Sequence, residues 1–501
     1  MDRHHAIETG LTRPEVQRRP DNDVPLSAVR FAQPAWGAAD LDARLAVVRR
    51  LRRLIARDAV GLSAAVGERP GRAPGETLAL EVLPLADACR FLEREAAALL
   101  APRRLGGKGR PAWLFGTKAE IRREPLGVVL VIAPSNYPLF LPGVQIVQAL
   151  TAGNAVLVKP ALECAAPMEA LAALLQEAGL PDGLLGLLDT SVEAARNAVA
   201  TGVDKVVLTG SAATGRRVLT DLARHLTPAT MELSGNDAVF VMPGADLDLT
   251  VKALAYGLRL NGGATCIAPR RVFVDRELAQ ELERRLTPLV EAMPPVAVSE
   301  PVRRQVARLV EEAVAAGCRP IGRLLRPDEP EMAPILIADA VPELGLLRED
   351  IFAPVLSLVP VAGAEDALAA ATQCPYALGV SIFGAEQEAL ALAGRVKAGS
   401  VTINDLVVPT ADPRLPFGGR GSSGFGVTRG AEGLLEMTAV KTVSLRTGSF
   451  RPHYDPPTPA DITLMADYIA AAHGDGARWP AVKRVLRGLM RRGRKAGVPP
   501  P

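Results

Sequence analysis

The chain has few of the residues that several kinds of chemistry require. Aromatic residues make up 4% of its 501 positions, and no Phe, Tyr or Trp cluster is interleaved with basic residues. A base-stacking surface is excluded on that ground, and nucleic acid with it. The five histidines (His4, His5, His225, His453, His473) lack metal-ligand spacing, so no metal centre is expected. The five cysteines (Cys89, Cys164, Cys266, Cys318, Cys374) are odd in number, scattered and without a C-x-x-C pair. Neither a disulfide framework nor a zinc site fits them, and a reducing, cytoplasmic location is expected. Neither sign of charge dominates, since 58 Lys and Arg stand against 55 Asp and Glu. No apolar segment follows the Met-Asp-Arg-His-His start, and the longest dense apolar run, 127–134, is far short of a membrane span.

What the chain does contain is apolar residues in bulk. With 48% hydrophobic and 23% charged residues it can bury several cores, and its length corresponds to about three domains of roughly 150 residues. Residues 1–25 are polar and proline-interrupted, and a disordered leader is expected there. Apolar residues recur at helical spacing among arginines from Leu41 to Leu54 and again from Leu78 to Leu100. The Gly-, Pro- and Arg-rich stretch 102–111 then reads as a connection. From Gly127 onward, unbroken Val/Leu strands (128–132, 155–158, 205–208) alternate with helices near 141–150 and 167–178. Strands of this kind suit a parallel sheet covered on both faces, that is, a doubly wound layer. A second alternating region has strands near 238–242, 271–274 and 355–360 and helices near 278–293 and 302–316. It predicts a second α/β domain.

Within this frame a few residues carry chemistry, each with a plain structural alternative. The turn from Thr209 to Gly215 (Thr-Gly-Ser-Ala-Ala-Thr-Gly) lies between a strand and a helix. Gly210 would let backbone approach an anion, and the helix's first N–H groups with Ser211 would hold a pyrophosphate; the same sequence also makes a tight βα turn. Another glycine run, Gly424 to Gly430, lacks the fingerprint spacing and reads as a turn. Cys266 sits in a Gly- and Pro-bounded loop, Asn261 to Pro269, as a nucleophile or as a small buried hydrophobe. Glu232 ends an apolar segment as a base or a structural carboxylate. Asn136, in Pro-Ser-Asn-Tyr-Pro, is a hydrogen-bond donor or a turn former.

Taken together these segments resemble the aldehyde dehydrogenase superfamily, from about Glu124 to Val443. The resemblance rests on Glu124-Pro-Leu-Gly-Val128, Pro134-Ser-Asn-Tyr-Pro138, Val158-Lys-Pro160, Thr209-Gly-Ser211, Glu232-Leu-Ser-Gly235, the Cys266 loop, Ile351-Phe-Ala-Pro-Val355 and Pro416-Phe-Gly-Gly419, in order and in spacing. The phrases His225-Leu-Thr-Pro228 and Ile403-Asn-Asp-Leu406 are most similar to the class 3-like branch acting on fatty and aromatic aldehydes. The resemblance implies an α/β fold with two doubly wound domains, cofactor and catalytic, plus a small β oligomerisation flap. It places the dinucleotide-binding domain at 26–110 and 125–232, the arm at 111–124 and 432–448, the catalytic domain at 233–431 and a basic tail at 449–501. Arm strands near 118–123 and 439–446 imply a homodimer.

The implied chemistry is oxidation of an aldehyde to a carboxylic acid with NAD or NADP. A thiolate at Cys266 attacks the carbonyl carbon. Asn136 and the cysteine's own backbone N–H hold the oxyanion, and Glu232 takes a proton from the water that hydrolyses the thioester. Lys159 matches the lysine that bonds the adenosine ribose, and Gly210, Ser211 and Gly215 belong to the pyrophosphate turn. Gly235 leaves space near the nicotinamide, while Asp350 and Phe352 flank that end. Leu162 stands where a glutamate often accepts from the ribose 2′-OH, with Glu163 one place later; a leucine repels no 2′-phosphate, so NAD and NADP both stay open. Asp350 is one methylene shorter than the family's glutamate, Ala353 replaces a glycine, and Ser135 and Ser234 also depart from the common pattern. Two other readings fit the same residues: a CoA-acylating enzyme, against which Glu232 argues, and a catalytically silent scaffold.

Beyond the family-like region, residues 451–501 hold nine Lys and Arg against four Asp. Val482, Val485, Leu486, Leu489 and Met490 recur at helical spacing opposite Lys483, Arg484, Arg487 and Arg491, with Arg492, Arg494 and Lys495 following. This predicts a basic amphipathic helix, either docked on the protein or lying peripherally on an anionic membrane.

Overall fold

The five apolar residues Val128–Ile132 are buried along their whole length and occupy the middle of a sheet, as an unbroken Val/Leu strand should. The computed structural model describes residues 26–73, 75–323, 326, 329–449, 451–476 and 478–495; the expected leader, 1–25, lies outside them. Strand order in this first sheet is Gly424–Phe425, Ala229–Leu233, Lys205–Gly210, Val128–Ile132, Ala155–Lys159, Leu185–Leu187. All neighbours are parallel except the short edge strand Gly424–Phe425, which runs antiparallel to Ala229–Leu233. The glycine run expected to be only a turn therefore closes an edge of the sheet.

Helix Phe140–Thr151 shows no exposed residue, consistent with an apolar surface all round. Helix Leu41–Arg57 instead buries one stripe, Leu45, Val48, Leu51 and Ile55, and turns most of its arginines outward. The stretch Leu78 to Leu100 is helical throughout, opening with a π turn at Leu78–Val82 before Leu83–Leu100.

Leu233 to Asp237 carries the chain from the first sheet to the second. There the order is Arg319–Ile321, Ile335–Ala338, Val355–Val361, Pro269–Asp275, Asp237–Val241, Gly379–Phe383, Ser400–Ile403, parallel except at the Arg319–Ile321 edge. The expected strands at 238–242, 271–274 and 355–360 and helices at 278–293 and 302–316 each appear within a few residues of the forecast.

The chain divides into two compact units, one of residues up to 103 with 121–442, the other of 104–120 with 443–501. Both large sheets belong to the first. The strands Thr117–Pro125 and Thr438–Arg446, expected as an arm, share a three-stranded sheet with Arg103–Leu105, a strand inside the stretch read as connection. In the second unit, helix Arg478–Lys495 contains the forecast basic helix, and helix Pro459–His473, which was not anticipated, packs against it. Leu464 and Ala481 are buried between them, and Arg484 pairs with Asp467 at 2.6 Å. Among the described residues no helix is long and apolar enough to cross a membrane.

One buried amide fastens the first sheet. Asn154 accepts through Oδ1 from the backbone N–H groups of Leu126 (2.7 Å) and Gly127 (3.0 Å), and donates through Nδ2 to the carbonyls of Ala149 and Met437. Asn154→Ala strands two buried N–H groups, each costing about 1–3 kcal/mol. A loss of about 3 kcal/mol in unfolding free energy is expected, read as a lower urea midpoint at unchanged slope.

Candidate active site

Helix Leu247–Arg259 ends in a turn whose residues Asn261, Gly262 and Gly263 all have left-handed backbone (φ 51°, 59° and 79°). A side chain at Gly263 would put its Cβ 2.5 Å from the Pro354 nitrogen, and one at Gly262 2.7 Å from the Pro70 carbonyl oxygen. Only glycine tolerates both the conformation and the approach. The turn delivers Cys266, partly exposed, against Ile267, Leu378 and Phe417. Burial pushes its thiol pKa up, Glu232 and Asp237 add to the rise, and Arg429 opposes it.

Asn136 follows the central strand of the first sheet, and its Nδ2 donates to the Ala264 carbonyl at 2.9 Å, two residues from Cys266. Its Oδ1 accepts from the N–H of Tyr137 (3.0 Å), and the Tyr137 hydroxyl shares a 2.6 Å hydrogen bond with the Thr265 hydroxyl. The two loops are thus joined side chain to backbone and side chain to side chain.

Glu232 lies inside strand Ala229–Leu233 and is buried. One carboxylate oxygen accepts from the Thr428 hydroxyl at 3.1 Å, and the other has no partner among the described residues. Burial raises its pKa, while Arg429 and the Thr428 hydrogen bond pull it down. Arg429 is itself buried, with its guanidinium carbon 4.3 Å from the Phe417 ring centroid and Nη1 donating to the Thr410 carbonyl. Cys266, Asn136 and Glu232, spread over 130 positions of sequence, are thus brought to one place.

Gly235 is explained by the same crowding: an added Cβ would lie 2.5 Å from the Cys266 carbonyl oxygen. The contact gives this glycine a packing reason within the chain itself, beside the place near the nicotinamide that the family resemblance implies for it.

The expected cofactor residues flank the carboxyl ends of the first sheet's strands. Ser211 caps helix Ala212–Leu222, its hydroxyl accepting from the Thr214 N–H at 3.1 Å. Gly210 precedes it with only Leu208 atoms near a built Cβ. Gly215 is buried, and a Cβ there would meet Leu233 at 2.8 Å, so its lack of a side chain lets the helix lie on strand Ala229–Leu233. Lys159, at the end of its strand, is half-buried, and desolvation lowers its pKa against the pull of Asp189. Asp350 bonds the Ser234 side chain and keeps a buried Oδ1 without a partner among the described residues. Phe352 is half-buried, and Leu162 is 72% exposed. The N–H groups of a helix start and an ammonium group as donors, with an orphaned carboxylate oxygen as acceptor, suit the phosphates and ribose hydroxyls of a dinucleotide.

Several residues here were missed in the sequence. Thr428 and Arg429 fall in the glycine run read as a turn. Arg270, its guanidinium donating to the carbonyls of Ala353 and Gly263, fixes the segment after Asp350 to the cysteine loop. Burial brings its pKa down to about 10.

A half-buried thiol, an amide and a buried carboxylate beside the start of helix Ala212–Leu222 form the arrangement expected of a nicotinamide-linked oxidoreductase. Comparison with known proteins agrees. The profile of the aldehyde dehydrogenase family matches residues 11–443, and the chain belongs to that family. A Mycobacterium ulcerans protein with the provisional name succinate-semialdehyde dehydrogenase [NADP(+)] 2 is 31% identical over 87% of this chain and 86% of its own. The 4,4′-diapolycopene aldehyde oxidase of a Methylomonas species is 32% identical over 74% of this chain and 71% of its own. A Mycobacterium tuberculosis aldehyde dehydrogenase, solved with NAD+, superposes with a TM-score of 0.78 at 27% identity, covering 86% of this chain and 91% of that one. The cofactor is NAD or NADP.

One neighbour of the site sets a pH dependence of stability. Asp237 opens the second sheet, and burial pushes its carboxyl from 3.8 up to about 8 against a backbone hydrogen bond from Gly379 and the charges of Arg271 and Arg270. The folded chain holds a proton there that the unfolded chain has already lost. This group's contribution to stability therefore falls as pH rises from about 4 to about 8, then levels off. Asp237→Asn, which keeps an oxygen for Gly379, is expected to raise Tm by an increment that grows over that interval to several degrees. Thermal unfolding at about pH 5, 7 and 9 measures it.

Proposed function

We propose that the protein oxidises an apolar aldehyde, medium- or long-chain or aromatic, to its carboxylic acid, through Cys266, Asn136 and Glu232. The observation that carries this reading is the 2.9 Å hydrogen bond from Asn136 to the Ala264 carbonyl, which sets an amide donor beside the cysteine. The Cys266 thiol gives up its proton to water, and the thiolate attacks the carbonyl carbon, forming a C–S bond as the carbonyl π electrons move to oxygen to make an oxyanion. Asn136 Nδ2 and the Cys266 backbone N–H face that oxygen as preorganised donors. Bound along Lys159, Gly210, Ser211, Asp350 and Phe352, the nicotinamide cofactor supplies the hydride acceptor. Glu232, with one oxygen free, accepts a proton from water as the hydroxide attacks the thioester. The C–S bond breaks, the acid leaves and the thiol is restored.

Ile267, Leu378 and Phe417 around the sulfur support an apolar substrate. The free oxygen of Glu232 favours water over a thiol such as CoA as acceptor. Leu162 presents no charge to a 2′-phosphate, so both NAD and NADP are expected to serve. In this reading 125–232 carries the cofactor, 233–431 the nucleophile, and the arm strands join a second copy into a homodimer.

Cys266→Ser is expected to lower aldehyde oxidation by about 10³-fold or more, and Glu232→Gln to leave one equivalent of reduced cofactor formed rapidly, with steady turnover about 10²- to 10⁴-fold slower. Stopped-flow absorbance on a panel of aliphatic and aromatic aldehydes reads both. Parent rates in Cys266→Ser would refute the mechanism.

The tail completes the proposal. Ile462, Met465, Ile469, Trp479, Leu486, Leu489 and Met490 are exposed on the helix pair, alongside Lys483 and Arg487. A peripheral association with anionic lipid on the cytoplasmic side follows. Vesicles containing phosphatidylserine are expected to sediment the full chain and leave a chain lacking 451–501 in solution; equal sedimentation would refute the association.

A further inference from the structure

The strongest feature outside the reacting groups is a buried ion pair. Arg72 and Glu81 meet at 2.5 Å with side chains 1% and 0% exposed. Neither touches the thiol or Glu232. Breaking such a pair is costly, and replacing both members by apolar groups commonly is not, so its presence calls for a role beyond stability.

All three nitrogens of the Arg72 fork are committed. Nη1 binds Glu81, Nε donates to the Asn261 side-chain oxygen at 3.1 Å, and Nη2 donates to the Asn136 backbone carbonyl at 3.0 Å. The guanidinium carbon also lies 5.2 Å from the centroid of the Tyr137 ring. Asn261 Nδ2 donates to that same Asn136 carbonyl at 3.1 Å and to the Ala264 carbonyl at 3.3 Å. Glu81 accepts the N–H groups of Leu139 (2.7 Å) and Phe140 (3.1 Å), at the start of helix Phe140–Thr151. Alongside, Gly71 and Gly262 approach so closely that a Cβ on Gly71 would stand 2.7 Å from the Gly262 Cα. Arg72 therefore grips the loop that carries Asn136 and the loop that carries Cys266 at once.

We propose that Arg72 is a positioning residue for the oxyanion site: it fixes the separation between the Asn136 amide and the Cys266 backbone N–H. Both donors must point at one oxygen, and they come from loops of different sheets. A planar fork with fixed angles sets such a distance; an ammonium on a flexible stem does not. This inference rests on the reading of Asn136 as an oxyanion donor, and its test separates the two.

The test uses two reactions of the same thiol without added cofactor. A p-nitrophenyl ester acylates Cys266 through a tetrahedral oxyanion and releases nitrophenolate. Iodoacetamide alkylates Cys266 at a saturated carbon, releases iodide and forms no oxyanion. Arg72→Lys keeps a cation for Glu81 and loses the fork. It is expected to slow the nitrophenolate burst about 10- to 100-fold, a large part of what loss of one oxyanion donor costs, and to change alkylation by less than about threefold. Asn261→Gly keeps the left-handed backbone and removes the second grip on the Asn136 carbonyl. It gives the same asymmetric result if Arg72→Lys fails to fold. Asn136→Ala serves as the control. If Asn136→Ala leaves the burst at the parent rate, the oxyanion reading falls and the role of Arg72 falls with it. If Asn136→Ala slows the burst while the Arg72 and Asn261 variants do not, or if those variants slow both reactions equally, only the positioning role is overturned.

Discussion

The short link from Leu233 to Asp237 joins the two sheets and keeps the Glu232 carboxylate within electrostatic reach of the Cys266 sulfur. Glu232 ends a strand of the first sheet and Asp237 begins a strand of the second. Between them Gly235 lies against the carbonyl of Cys266, so close that not even a methyl group fits. Cys266 is positioned by contact with the crossover itself. The hydrogen bond between Asn136 and Ala264 then draws the first sheet's central loop onto the same point. Remove either and the thiol, the amide and the carboxylate belong to separate surfaces.

This closeness puts charge where water is scarce. Glu232, Asp237, Arg270 and Arg429 are buried near the sulfur, and Arg271 is buried beside Asp237. Burial penalises the charged form of each, raising the carboxyls and lowering the guanidinium groups. The arginines remain cations because backbone carbonyls take their N–H groups: Ala353 and Gly263 for Arg270, Asn236 and Ala371 for Arg271, Thr410 for Arg429. Glu232 keeps one oxygen unbonded among the described residues, as Asp350 does. A buried acceptor without a donor is a cost the fold carries, and it is the group whose task requires an available lone pair.

Most of the α/β framework could be read from the sequence because its signal is local. Val128–Ile132 is unbroken in apolar residues, and the strand-turn-helix around Ser211 is contiguous. The catalytic candidates were legible through short phrases around Cys266, Glu232 and Asn136. What escaped was everything held together across long separations. Thr428 reaches Glu232 from 196 positions away and Arg72 reaches Asn136 from 64, and neither residue sits in a pattern that marks it as buried. Glycine at 215 and 235 was legible, but its packing contacts were not: a Cβ would meet Leu233 at the first and the Cys266 carbonyl at the second. Helix Pro459–His473 was overlooked because its apolar residues form no single stripe.

The strand Gly424–Phe425 and the pair Thr428 and Arg429 come late in the polypeptide, some 160 residues after the cysteine they serve. During synthesis the sulfur emerges from the ribosome long before the carboxylate's hydroxyl partner and the compensating cation exist. A chain interrupted anywhere in that interval has the cysteine but lacks both the hydroxyl that bonds Glu232 and the cation that opposes the rise in the thiol pKa.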